Sequence, residues 1–209
     1  MLPQTGLMAT LLSMIAPPSI LPPTFTTRAA RTLGMHPRDL YRLRDAGEVI
    51  ELSRGVFRRA DAPTASMPDL LAVASRVPIG IVCCVSALFA YDLTDEIPSA
   101  VQIAVPRRQR PPHIAFPPTE VFRFDAATFE LGLSTVEAAP EEHVRIYRAE
   151  RTIVDLMRLR GRLGEPLVFA ALRRYLRRRD ARPGELLSFA RALGVLGPMR
   201  TALDLGGDE

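Results

Sequence analysis

The chain is 209 residues long, 47% apolar and 24% charged, which suits one large domain or two small ones and lies outside the range of disordered chains. All 27 basic residues are Arg, against 23 acids, and Lys, Asn and Trp are absent, a bias expected of GC-rich coding. Without Lys there is no Walker-type phosphate loop, no Schiff-base or pyridoxal-phosphate chemistry and no carboxylate–Lys nuclease site, whereas Arg still grips phosphate through its planar five-donor fork.

The first 26 residues carry no charge. The apolar run Leu7–Ala16 lacks the basic flank of a secretory signal and is too short to span a bilayer. Pro17, Pro18, Pro22 and Pro23 follow it, so it reads as a short helix or loose arm of a cytoplasmic protein, with Met8 and Met14 as alternative starts. Beyond this arm the charge is segregated. Residues 27–60 hold eight Arg against four acids, residues 61–142 five against eleven, and residues 143–191 thirteen against five. The net charge of +4 thus conceals two basic blocks around an acidic middle, which predicts localised contacts with a polyanion.

The first basic block, FTTRAARTLGMHPRDLYRLRDAGEVIELSRGVFRR, has the punctuation of two helices and a hairpin. Thr26 or Thr27 can cap a short helix ending at Gly34; His36-Pro37 opens a second, with Asp39 in its first turn and Gly47 as its stop. A connection of about three residues containing Gly is that of a helix-turn-helix. Ala30, Leu33, Leu40 and Leu43 are expected to face inward, which turns Arg38, Tyr41, Arg42 and Asp45 outward as a major-groove reading face. VIELSRGVFRR then predicts two short strands about Ser53-Arg54-Gly55, a wing with Arg54 at its tip and Arg58 and Arg59 on its return strand, placed for phosphates or the minor groove. The expected DNA contacts are Thr27, Arg28, Arg38, Tyr41, Arg42, Arg54, Arg58 and Arg59. A winged-helix module used only for protein contacts is the alternative.

The polar, Pro-bearing stretch Asp61–Pro68 reads as a linker, dividing the chain into an arm and winged helix over 1–62 and a second domain over 63–209. In the second part, helices are expected around Asp69–Val77 and Ser86–Leu93, and strands around Val101–Val105, Val121–Phe124, Leu133–Glu137 and His143–Tyr147. Pro106–His113 (PRRQRPPH) is a Pro-restrained basic loop. From Ala149 the pattern is helical to the end, which makes the fold class α+β, a winged helix-turn-helix followed by a mixed α/β domain closing in a helical bundle. Arg151 and Asp155 are spaced i,i+4 and read as an exposed pair worth only ~0.3–0.5 kcal/mol. Arg173, Arg174, Arg177 and Arg178 cluster on one side of PLVFAALRRYLRRR, either as a second nucleic-acid or partner surface or as a solvated face. Cys83 and Cys84 read as buried thiols in a reducing compartment, and the three His show no metal-ligand spacing. Asp92, Asp95 and Glu96 lack partner carboxylates at strand spacing and read as a loop end rather than a metal centre. No catalytic residue, cofactor site or metal site is expected.

The winged-helix segment, together with YRAERTIVDLMRLRGRLG and ALRRYLRR, resembles the AbiEi-type antitoxins, winged-helix regulators of type IV toxin–antitoxin (abortive-infection) systems. The resemblance runs from about Ile20 to Leu205, with SRGVFRR and RTIVDLMRLR its most specific parts; the uncharged, Pro-rich N-terminus departs from it. It implies an N-terminal domain that binds and represses the operon's own promoter and a C-terminal domain that counteracts a nucleotidyltransferase-like toxin without a stable complex. Two other readings stand beside it: an autonomous regulator sensing a ligand with its second domain, and a nucleic-acid or nucleotidyl-transfer enzyme, for which the Gly-Ser turn with paired Asp is missing. Apolar stripes on the C-terminal helices leave self-association open.

Overall fold

The computed structural model describes residues 20–206, so the expectation for Leu7–Ala16 lies outside the described residues. Strand β1 (Thr24–Thr26) leads directly into α1 (Thr27–Thr32), whose N-cap Thr26 accepts a hydrogen bond from the Ala29 N–H at 3.1 Å. The chain turns at Gly34 (φ +85°), which supplies the left-handed conformation that a side chain would resist. Helix α2 (Pro37–Asp45) begins with the His36 Nδ1 accepting from the Arg38 N–H at 3.2 Å and with Pro37 where no N–H is needed. After Gly47 (φ +76°), β2 (Val49–Ser53) and β3 (Val56–Arg59) form the expected hairpin. β1 was not anticipated; it pairs antiparallel with β3, Phe25 opposite Phe57, so β3 is the central strand of the order β1-β3-β2.

The core of this substructure is Leu21, Phe25, Ala30, Met35, Leu40, Leu43, Val49 and Phe57. Burial of a leucine such as Leu40 or Leu43 contributes about 1.5–3 kcal/mol. Leu33 corrects the expectation: as the C-cap of α1 it is 45% exposed, and Met35, one residue past the turn glycine, fills the core instead at 5%.

A second, five-stranded sheet has the order β6-β5-β4-β8-β7. Helix α3 (Pro68–Arg76) precedes β4 (Ile81–Val82) and α4 (Cys84–Ala90); β5 (Val101–Pro106) and β6 (Thr119–Phe124) run parallel; β7 (Leu133–Ala139) and β8 (Glu142–Tyr147) form an antiparallel hairpin. β4 joins the two pairs, antiparallel to β5 and parallel to β8. At two residues it is too short to show a period, and the apolar run around it is equally compatible with helix. One face of the sheet, with Val82, Val101, Ile103, Val105, Val144 and Ile146, packs on Leu70, Leu71 and Val73 of α3 and is covered further by Ile114. The opposite face presents Ile81, Ala104, Phe122, Phe124 and Tyr147.

Helices α5 (Ala149–Arg158), α6 (Arg160–Leu163), α7 (Glu165–Leu176), α8 (Pro183–Ala192) and α9 (Leu196–Gly206) complete the chain. α5 touches α4, α7 and α8 and lies under the Phe124 and Tyr147 rings, so it is enclosed on every side. This overturns the exposed reading of Arg151 and Asp155, both of which are 0% exposed. Arg151 Nε donates to Asp155 Oδ2 at 2.8 Å, its Nη1 donates to the Thr128 and Leu131 carbonyls, and its guanidinium lies 4.4 Å from the Tyr147 ring centroid. Arg158 Nη1 reaches the other oxygen of Asp155 at 2.7 Å.

Candidate nucleic-acid interface

α1 and α2 together present an arginine-bearing surface. At 100° per residue, Leu40 and Leu43 point into the core and Arg38, Tyr41, Arg42 and Asp45 occupy an arc of about 100° on the other side. All four are exposed. Arg38 has no carboxylate within 4.0 Å among the described residues; Arg42 has Asp39 at 3.6 Å, one helical turn back. Tyr41, 43% exposed, rests edge-on against Phe57 with centroids 6.2 Å apart, and the Arg44 guanidinium covers its ring at 4.8 Å. Arg44 itself is turned aside to Asp45 and Glu51, which hold its pKa above the ordinary value through their hydrogen bonds. Arg28 on α1 is exposed and has no acidic partner among the described residues. Arg31, which sequence reasoning passed over, shares both properties. Its signal was available: it lies three residues after Arg28 and therefore on the same helical face.

The hairpin is held at several points. The Thr27 N–H donates to the Gly55 carbonyl at 2.9 Å and its hydroxyl to the same oxygen at 3.4 Å, so Thr27 ties α1 to the hairpin turn. Arg54 is exposed at that turn, and its carbonyl accepts from Arg76 of α3 at 2.7 Å. Ser53 Oγ donates to the Phe116 carbonyl at 2.6 Å.

Arg58 departs most from expectation. It is 5% exposed and turned toward the five-stranded sheet, where it pairs with Glu142 and donates to Thr24 Oγ1 at 2.6 Å and to the Pro63 carbonyl. The unanticipated β1 makes β3 central and covers this side chain, so Arg58 fastens the N-terminal sheet to the rest of the chain and is not presented to solvent. Arg59 is half-buried. It pairs with Asp61 at 2.7 Å and donates to the Leu21 carbonyl at 3.1 Å; the hydrogen bond from Arg59 draws the Asp61 carboxyl below its usual range.

The arginines at the end of α7 and just beyond it divide in two. Arg174 pairs with Asp95 at 2.8 Å, and Arg178 with Asp180 at 3.0 Å while donating to the Tyr91 carbonyl at 3.1 Å. Arg173 and Arg177 are exposed without a carboxylate within 4.0 Å among the described residues. Asp92, Asp95 and Glu96 belong to no metal-binding cluster among the described residues. Cys83 and Cys84 are buried free thiols, and burial drives the Cys83 pKa up, away from thiolate. Among the described residues no helix is long and apolar enough to cross a membrane.

Residues 20–60, which contain α1, α2 and the whole three-stranded sheet, match the family model described as "Transcriptional regulator, AbiEi antitoxin". No curated protein matches the sequence. Among solved structures, the crystal structure of the RV2827C protein from Mycobacterium tuberculosis is similar, with a TM-score of 0.60 at 17% identity, covering 89% of this chain and 73% of that one. That likeness shows a shared fold of mixed helices and sheets. Over residues 20–60, the chain is similar to the domain of the AbiEi antitoxin transcriptional regulators.

Proposed function

We propose that the chain is a DNA-binding antitoxin that represses its own promoter in the cytoplasm and counteracts a nucleotidyltransferase-like toxin, without catalysis of its own. Residues 20–60 act as a winged helix-turn-helix, with α2 as the recognition helix and the β2–β3 hairpin as the wing; the domain boundary falls at 62/63, and the remainder is the antitoxin domain. The observation that carries this reading is the outward face of α2, where Arg38, Tyr41 and Arg42 stand exposed one short glycine turn after α1. Arg can bridge guanine O6 and N7 in the major groove, and Arg28 and Arg54 stand on the flanking elements where phosphates would pass. Thr27 and Arg59 contribute by positioning the elements that carry those side chains. Of the α7 cluster, Arg173 and Arg177 remain available to a partner.

A gel shift with the DNA upstream of the gene tests the reading, with a fragment of unrelated sequence as control. A complex that forms on both but survives competitor only on the upstream fragment is expected; no complex on either removes the repressor.

One observation favours a second reading, an autonomous regulator that senses a small molecule. A hollow of about 230 Å³ between α3, α4 and the loop before β5 is lined mainly by apolar side chains, among them Met67, Leu70, Phe89, Ile97 and Pro118. A nucleotidyltransferase-like reading frame next to the gene favours the antitoxin, and its absence favours the sensor.

A further inference from the structure

Residues 61–142 are acidic overall, yet four of their five arginines, Arg107, Arg108, Arg110 and Arg123, lie at one end of the β5–β6 pair. The Arg107 N–H donates to the Phe124 carbonyl at 2.7 Å, and the Gln109 N–H closes a turn on the Pro106 carbonyl at 2.8 Å. Arg123 Nε, from the neighbouring strand, donates to the Arg107 carbonyl at 3.0 Å. Pro106, Pro111 and Pro112 restrict the backbone on either side, so the turn is largely ordered before any partner arrives.

All four side chains are exposed, and none has a carboxylate within 4.0 Å among the described residues. The nearest acid in sequence, Asp125, is engaged in capping a short 3-10 turn through the Ala127 N–H at 2.9 Å. In the C-terminal part Arg174, Arg178 and Arg182 each hold an acidic partner, whereas Arg173 and Arg177, like the turn, have none within 4.0 Å among the described residues.

The turn lies at the Phe124 end of the β5–β6 pair, and the chain then runs back to the other end, where the Val101 N–H donates to the Pro118 carbonyl at 2.8 Å. Arg123 shares strand parity with Val121, which packs with α3 on the α3 side of the five-stranded sheet, and α3 in turn touches β1, β2 and β3. On that return the loop passes Phe116, whose carbonyl is bound by Ser53 of the hairpin. From Arg110 to Phe116 the chain can span at most ~20 Å. That is less than the ~34 Å of one turn of B-DNA.

We infer that the Arg107–Arg110 turn, with Arg123, is a second and sequence-independent contact for the phosphate backbone of a DNA duplex engaged by α1, α2 and the hairpin. A protein partner would need an apolar or aromatic anchor, and the exposed turn Arg-Arg-Gln-Arg offers none. Phosphates need only positive charge held in place. This inference rests on the proposed DNA binding of residues 20–60.

The experiment measures affinity against salt for the full chain, for R107A/R108A/R110A, for R107K/R108K/R110K and for R173A/R177A, on the upstream fragment and on unrelated duplex. Three lost phosphate contacts should flatten the log–log salt slope by about 2.7, so the affinity lost between 50 and 200 mM salt shrinks by about 40-fold. The change should be equal on both DNAs, with the Lys variant and R173A/R177A keeping the parent slope. If the parent chain binds DNA but the Ala variant keeps its slope, or the Lys variant loses it too, the second contact is wrong while the proposed function stands. If the parent chain binds neither DNA, both fall together.

Discussion

Replacing Asp155 by Ala should destabilise the chain far more than an i,i+4 helix pair normally would. In an exposed pair the change would cost ~0.3–0.5 kcal/mol. Here Asp155 and Arg151 are both 0% exposed, and Asp155 is bound by Arg151 and by Arg158. Its removal leaves the Arg151 cation among Tyr147, Phe124 and two carbonyls, with one guanidinium nitrogen already lacking a hydrogen-bond partner among the described residues. Breaking a buried pair on one side costs about 3–5 kcal/mol. For a chain of this length that corresponds to a fall in Tm of roughly 6–20 °C. The double replacement R151M/D155L, which removes both charges and keeps apolar volume, should recover most of the loss. Urea unfolding of the parent, D155A, R151M, D155L and R151M/D155L gives the loss and the coupling directly. A D155A loss below about 1 kcal/mol, or a double variant as unstable as the sum of the singles, would refute the buried-pair account.

Three further outcomes follow from other contacts. E142Q should lower stability by about 1–3 kcal/mol, because the buried Arg58 loses its charged partner, and should leave the salt slope of DNA binding unchanged; a thermal melt and a salt titration separate the two. G132A should cost about 2–3 kcal/mol, since φ is +73° and the added Cβ would stand 2.8 Å from Arg151 Cβ, whereas G34A, with open space at its Cβ, should cost only about 1 kcal/mol in the same melt. Burial and then Glu150 push Tyr91 up to about 12, and burial carries Tyr147 and Tyr175 higher still. These phenols stay protonated in the fold while unfolded ones ionise near ~10, so stability should fall as pH rises above about 10; a urea midpoint that does not drop there contradicts the assigned environments.

The two short helices α1 and α2 are legible because backbone punctuation is local: Gly34, Pro37 and Gly47 each demand or forbid a conformation without reference to distant chain. Leu33 was misplaced for the complementary reason. Helical periodicity was extended through a residue that caps the helix, and the chain's change of direction handed the core position to Met35. Arg58 depended on a three-residue strand, Thr24–Thr26, too short to announce itself; without β1 the return strand of the hairpin looks like an edge. Arg151 and Asp155 were read as exposed because an i,i+4 pair on an amphipathic helix is ordinarily so. Only the packing of α4, α7 and α8 around α5 buries the second face, and that is a long-range fact. The exposure of Arg38, Tyr41 and Arg42 is legible because it follows from the two leucines of α2 itself. The Arg107–Arg110 turn was visible as a basic loop, but its relation to the hairpin needed the Ser53–Phe116 hydrogen bond.

The central claim, DNA binding by the outward faces of α1, α2 and the hairpin, is tested most directly by a salt titration of the full chain and of R38A/R42A on the upstream fragment. With about six phosphates contacted, parent affinity should fall ~10³-fold between 50 and 200 mM salt. The double variant should lose ~1–3 kcal/mol of preference over unrelated DNA for each base contact removed, with its melting temperature unchanged. A parent complex insensitive to salt, or an R38A/R42A chain that still prefers the upstream fragment as strongly as the parent, would contradict the account.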